Sequence, residues 1–233
     1  MKALLVAAGL GTRLRPITYK IPKCLVPIHG KPLLGYWIER LVEQGIEHIY
    51  INTHYLAEAV EAYVGSHPLR NHITLVYEER LLGTGGTLKK LGALLGGQAF
   101  LFAHADNLTK FELASFIEAH QARGEGVEIT MMTFLTDTPH ACGIVEWNQD
   151  RRVTAFYEKV VDPPGNHANA AVYLLEPSVH HFLSLIPKEV IDFSTEVLPH
   201  YLHRMQVFSN STYHRDIGSL KSLYLAEQEF AYD

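Results

Sequence analysis

The feature that most constrains the fold is a repeated alternation of short apolar runs with segments of helical spacing, opened by residues 2–7, KALLVA. A continuous apolar run of that length suits a strand buried on both faces. Segments 33–43, 56–64, 86–95 and 111–122 have helical spacing, and 48–52, 73–77, 99–103 and 127–135 have strand character. Strands alternating with helices imply an α/β chain with a largely parallel sheet covered on both faces. From about residue 143 the rhythm changes. Strand-like stretches at 143–147 and 153–158 flank the turn-forming cluster Asn148-Gln149-Asp150-Arg151, and another follows at 169–175. These read as an antiparallel addition to the first half. Ser219 is placed to cap a final helix over 220–230, and Ser194 to cap a helix-like stretch with Glu196 in its first turn.

The first strand runs into Ala8-Gly9-Leu10-Gly11-Thr12-Arg13, with Lys23 ten residues beyond Arg13. Glycines at such a turn permit positive φ or close ligand approach, and successive backbone N–H groups form an anion-binding nest. Two familiar glycine motifs do not fit. A P-loop requires Gly-Lys-Ser/Thr where Gly11-Thr12-Arg13 stands. A dinucleotide fingerprint requires a third Gly or Ala where Leu14 stands, and an acid about 20 residues further on, where His29 and Gly30 lie. A purely structural turn accounts for neither Arg13 nor Lys23.

Composition narrows the classes. A chain of 233 residues that is 47% hydrophobic and 19% charged builds a full core. Its formal net charge of −5 disfavours a general nucleic-acid surface, so a phosphate site must be locally basic, as Arg13, Arg15, Lys20 and Lys23 make it. Cys24 and Cys142 are the only cysteines and form no CxxC, which fits a reducing, cytoplasmic compartment. No apolar run approaches the ~18 residues of a membrane span, and the N-terminus reads as a strand rather than a signal peptide. The fourteen histidines are scattered and lack metal-ligand spacing.

The segments GLGTRLRPIT and PKCLVPIHGKPLL resemble the signature of the sugar-1-phosphate nucleotidyltransferases. That resemblance implies a Rossmann-like three-layer α/β/α sandwich with a mixed, mostly parallel sheet, in one domain over 1–233. Residues 1–140 would mainly bind nucleotide, and 141–233 mainly sugar phosphate. It implies attack of a sugar-1-phosphate oxygen on the α-phosphate of an NTP, with Arg13 on the leaving pyrophosphate and Lys23 on the α-phosphate. Ala8, Gly9, Gly11 and Thr12 would then line the nucleotide.

Further matches follow in the family's order. Glu78 and Leu82-Gly83-Thr84 resemble its E-x-x-x-LGT-[AG]-G segment, which meets base and ribose, with Arg80 and Leu81 departing from Glu-Pro. Asp106 ends an apolar strand, where open α/β sheets bind ligands, and resembles the Gly-Asp metal motif with Ala105 for glycine. Asp216, in a late D-I-G segment, would be its partner on Mg²⁺. Phe156-Tyr157-Glu158-Lys159 resembles F-x-E-K-P, with Glu158 on sugar hydroxyls, Lys159 on the sugar phosphate and Val160 replacing proline. Asn169 resembles a further hydroxyl contact, with Ala171 replacing a glycine, and Gly143 follows Cys142 where Tyr-Gly is common. Short length and the LGTGG segment resemble the guanylyltransferase branch. GTP with a manno-configured sugar phosphate is therefore the expected pair, ahead of UTP or dTTP with a gluco-type or MurNAc 1-phosphate. An inactive nucleotide-sugar-binding regulatory protein is the reading of another class; a glycosyltransferase would carry a DxD motif, and no two aspartates stand two apart. The chain ends soon after Asp216, so a hexapeptide-repeat helix and a second acyltransferase activity are not expected.

Overall fold

The computed structural model describes Met1–Phe230. In chain order the elements are β1 (Lys2–Val6), β2 (Pro27–Ile28), β3 (Lys31–Pro32), α1 (Leu33–Glu43), β4 (His48–Thr53), α2 (Ala57–Ser66) and β5 (Ile73–Tyr77). Then follow α3 (Gly83–Leu91), β6 (Phe100–His104), β7 (Asn107–Lys110), α4 (Leu113–Gln121), β8 (Ile129–Leu135), β9 (Gly143–Trp147) and β10 (Val153–Glu158). The last are β11 (His167–Leu175), α5 (Pro177–Leu185), α6 (Phe193–Glu196), β12 (Met205–Ser209), β13 (Tyr213–Asp216) and α7 (Leu220–Glu229).

Two compact units emerge. The first holds Met1–Leu81, Ala103–Lys110 and the chain from Tyr213 onward. Its strands β1, β4 and β5 are paired in parallel, β4 between the other two. Leu4, Leu5, Ile49 and Ile51 are fully buried, as the apolar runs require. The short antiparallel ladder of β7 with β13 pairs Asn107 with Asp216. A core of Leu14, Ile28, Leu33, Leu108 and Ile217 packs beneath the first glycine-rich loop. Ser219 caps α7 through a capping box with Ser222, as expected from the sequence.

The second unit holds Leu82–Phe102 and Phe111–Thr212. The strand order is β10-β9-β11-β6, and β8 pairs with β11 and β12. The β9–β10, β11–β9 and β11–β8 pairs are antiparallel, so the sheet is mixed and the antiparallel addition read after residue 143 is present. The helix expected over 86–95 starts earlier, at Gly83, and gives way to a 3₁₀ turn at Gly92–Leu95. Ser194 does not cap α6. Asp192 does, its carboxylate accepting the Thr195 N–H, because Asp192 stands at the last residue of extended backbone. Among the described residues no helix is long and apolar enough to cross a membrane.

Candidate functional site

In the first unit the sequence-predicted phosphate residues gather around one ammonium group. Lys23 opens a 3₁₀ turn (Lys23–Leu25) and is buried. Its Nζ donates to Asp106 Oδ2 at 2.5 Å and to Asp216 Oδ1 at 3.3 Å. Arg13 Nη2 lies 3.8 Å from Asp216 Oδ2, with its side chain largely exposed. The two acids stand 110 residues apart in sequence. They meet because Asp106 precedes β7, Asp216 ends β13, and the ladder registers Asp216 against Asn107. The Ile217 N–H donating to the Asp106 carbonyl closes the arrangement.

Charge accounts for the titration of this cluster. Burial pushes the Lys23 pKa down, but Asp106 and Asp216 outweigh it and hold the ammonium above its ordinary value. Burial likewise pushes Asp106 up, yet Lys23 and His104 leave it below the usual carboxylate value. Lys23 and Asp106 are therefore both held in their charged forms at neutral pH. Cys24, next in sequence to Lys23, is a buried thiol pushed up to about 12 by burial and by Asp106, and so is no nucleophile.

The glycine-rich loop is held from behind. Gly11 has φ +61°, and a Cβ there would lie 2.9 Å from Thr18 Cγ2 and 3.2 Å from Lys23 Cβ, so glycine is required twice over. The Thr18 hydroxyl donates to the Gly11 carbonyl at 2.7 Å. Gly9 faces open space. Asn52, at the end of β4, is a buried residue that the sequence reading missed. Its Oδ1 accepts the Ala7 N–H at 2.7 Å, and its Nδ2 donates to Glu78 Oε1 at 3.1 Å. The loop and Glu78, both expected at the nucleotide, are thus joined through one side chain. An amide closing an otherwise apolar strand was the available signal.

The carboxylates of Asp106 and Asp216 converge on a cation and stay partly open to solvent. Two such hard oxygen donors suit Mg²⁺, which prefers one or two carboxylates with phosphates and water. The residues present fit that ion.

In the second unit Gly143 on β9 faces Glu158 on β10. A Cβ at Gly143 would come within 2.7 Å of Glu158 Oε2, so the glycine leaves room for that carboxylate. Glu158 pairs with Lys159 Nζ at 2.6 Å, and the Lys159 side chain is exposed, with its backbone at φ +50°. Asn169 donates from Nδ2 to the Tyr173 hydroxyl at 2.6 Å, and its Oδ1 accepts the Ala171 N–H at 2.9 Å. Each polar group of Asn169 keeps one further hydrogen-bonding position for a ligand. Ala171, where the family pattern has glycine, sits at φ +52° in the irregularity between Asn169 and Tyr173. Ala105 is buried without a positive φ, so a methyl group is accommodated there.

Leu82, Gly83 and Thr84 form the head of α3. The anion-binding role that a helix N-terminus suggests is not open at this one, because the Gly85 and Gly86 N–H groups both donate to the Ile191 carbonyl.

A sequence model described as nucleotidyl transferase matches residues 2–232. A mannose-1-phosphate guanylyltransferase of Mycobacterium tuberculosis is 32% identical over 93% of this chain and 61% of its own length. A mannose-1-phosphate guanyltransferase of Hypocrea jecorina is 31% identical over 95% and 62%. The chain therefore spans about six tenths of the length of these relatives. Among solved structures, a putative glucose-1-phosphate thymidylyltransferase of Bacillus anthracis superposes with a TM-score of 0.88 at 20% identity, covering 100% of this chain and 97% of the other. HddC of Yersinia pseudotuberculosis, complexed with GMP-PN, gives 0.82 at 25% identity, with 99% of each chain covered. The fold is the one these proteins share.

Proposed function

The chain belongs to the sugar-1-phosphate nucleotidyltransferase family, and from that premise we propose that it transfers a nucleoside monophosphate from an NTP to a sugar 1-phosphate. An oxygen of the sugar phosphate attacks the α-phosphorus. The new P–O bond forms as the bond from the α-phosphorus to the bridging oxygen breaks, and pyrophosphate leaves. A phosphate monoester has its second pKa near 6, so the nucleophile is already an anion at neutral pH and needs no general base.

The protein's part is positioning and charge neutralisation. Lys23 is assigned to the α-phosphate and Arg13 to the departing pyrophosphate. Ala8, Gly9, Gly11 and Thr12 lie along the phosphates, with Glu78 and Leu82-Gly83-Thr84 at base and ribose. Gly143, Glu158 and Asn169 take the sugar hydroxyls, and Lys159 the sugar phosphate. Asp106 and Asp216 are assigned to Mg²⁺, which when bound supplies positive charge and Lewis acidity to phosphate oxygens. The carrying observation is the convergence of Asp106 and Asp216 on Lys23, with Arg13 beside Asp216.

GTP with mannose 1-phosphate is the favoured pair, on the strength of relatives above 30% identity that bear that name. The test is pyrophosphate release by purified protein with Mg²⁺, offering GTP, UTP and dTTP against mannose 1-phosphate and glucose 1-phosphate. Release greatest with GTP and mannose 1-phosphate supports the full reading. A preference for another pair overturns only the substrate choice, and no release from any pair overturns the reaction.

A further inference from the structure

The segment between α5 and α6 matches no motif, yet its backbone is bonded to the glycine-rich turn at the head of α3. The Ile191 N–H donates to the Leu82 carbonyl at 2.9 Å. The Ile191 carbonyl accepts from the Gly85 and Gly86 N–H groups at 2.9 and 3.1 Å, which satisfies donors that a helix start would leave open. The Phe193 N–H donates to Thr84 Oγ1 at 2.9 Å. A Cβ on Gly86 would lie 2.2 Å from the Glu189 carbonyl oxygen, and one on Gly85 2.7 Å from Ile191 Cγ2. Gly86 is thus demanded by the neighbouring backbone and Gly85 by the Ile191 side chain, whatever binds at the turn. Lys89 of α3 adds a further tie, its Nζ donating to the Ile186 carbonyl at 2.5 Å.

The same segment reaches Asn169. The buried Phe193 ring packs edge-on against Tyr173, centroids 5.1 Å apart, and against Phe102 at 5.0 Å. The Tyr173 hydroxyl accepts from Asn169 Nδ2 at 2.6 Å. One short stretch therefore fixes the turn at one end and the anchor of Asn169 at the other.

We propose that Glu189–Phe193 is a positioning strap that sets the Leu82–Gly86 turn and Asn169 together, so that the fit of nucleotide and of sugar phosphate is coupled through it. The proposal rests on the assignment of those two elements to nucleotide and sugar phosphate. Phe193, Tyr173 and Ile191 act through other groups and are positioning residues, holding the contacting residues to a fraction of an ångström. Any such coupling is reciprocal: loosening the sugar end must weaken nucleotide, and the reverse.

The test measures equilibrium binding of GTP alone and of mannose 1-phosphate alone, together with amide hydrogen exchange at Gly85 and Gly86. Variants are Phe193→Ala, Phe193→Leu and Tyr173→Phe. In Phe193→Ala and Tyr173→Phe the Kd for both ligands is expected to rise about fivefold, the low end of ordinary coupling, with faster exchange at Gly85 and Gly86. Phe193→Leu, which keeps an apolar side chain against Tyr173, restores both. Weakened mannose 1-phosphate binding with unchanged GTP affinity and unchanged exchange overturns the strap. If the unaltered protein binds neither ligand, the assigned function fails, and exchange in the variants alone decides the strap.

Discussion

Lys23 Nζ lies 2.5 Å from Asp106 Oδ2 and 3.3 Å from Asp216 Oδ1, so one buried ammonium is shared by both acids assigned to the metal. Removing it leaves Asp106 without its ammonium and facing Asp216, which keeps the exposed Arg13 beside it, and stranding a charge in this way is more costly than the pair itself is stabilising. Lys23→Ala is therefore expected to melt at lower temperature than the unaltered protein. Mg²⁺ should raise its melting temperature by more than it raises that of the parent, since the ion then supplies the missing charge. Equal Mg²⁺ shifts in the two proteins, read by thermal denaturation, would refute the shared-cation account.

Lys23 and Lys159 differ in setting. Lys23 is buried among the acids, whereas Lys159 is exposed and paired with its neighbour Glu158. A charge fixed where the transition state gains charge acts on kcat, and one that grips the substrate phosphate acts on KM. Lys23→Ala is expected to lower kcat by about 10²–10³. Lys159→Ala should raise the KM for sugar phosphate by about tenfold, or 1.4 kcal/mol, with kcat little changed. Steady-state kinetics with both substrates varied decides this, and the same defect in both variants refutes the division of roles.

The pH dependence of stability should carry the mark of His214, on β13 two residues before Asp216. Burial pushes its pKa down to about 3, with Asp106 pulling it up and Arg215 pulling it further down. Between about pH 6.5 and 3 the unfolded chain binds a proton at this residue that the folded protein refuses. Stability then falls as pH falls through that window, by at most about 1.4 kcal/mol per pH unit. Denaturant titrations from pH 7 to 4 should show a shallower decline for His214→Gln. An identical slope in both proteins would remove His214 as the cause.

The alternation of β1, α1, β4 and β5 was legible because each run buries both faces or one stripe, and period alone reports that. Arg13 and Lys23 were legible as cations beside a glycine turn. The meeting of Asp106 with Asp216 was legible only through the family resemblance, because it depends on β7 and β13, two four-residue strands whose polar residues resemble loop. Asn52 looked like the end of a strand and proved to join two elements of the site. Asp192 rather than Ser194 caps α6, since either residue type satisfies the rule and only backbone geometry chooses between them. The bonds from Ile191 to the glycine turn are made by backbone atoms, which leave no trace in side-chain identity.

Ala171 offers a last prediction, from strain. Its φ of +52° is a conformation that costs a residue with a Cβ about 1–2 kcal/mol. The strain is held in place because its N–H is committed to Asn169 Oδ1, and because the strand pairing shifts register between Asn169 and Tyr173. Glycine removes the clash but gives the unfolded chain more freedom, which returns about 0.5–1 kcal/mol. The balance favours Ala171→Gly by about 0.5–1 kcal/mol, a rise in Tm of about 2 °C for a chain of this size. The same substitution one residue earlier, Ala170→Gly, finds no positive φ to relieve and empties a buried position, so it should destabilise. Thermal denaturation of the two variants side by side checks the sign of each, and a lowered Tm for Ala171→Gly would show that the strand bears no strain there.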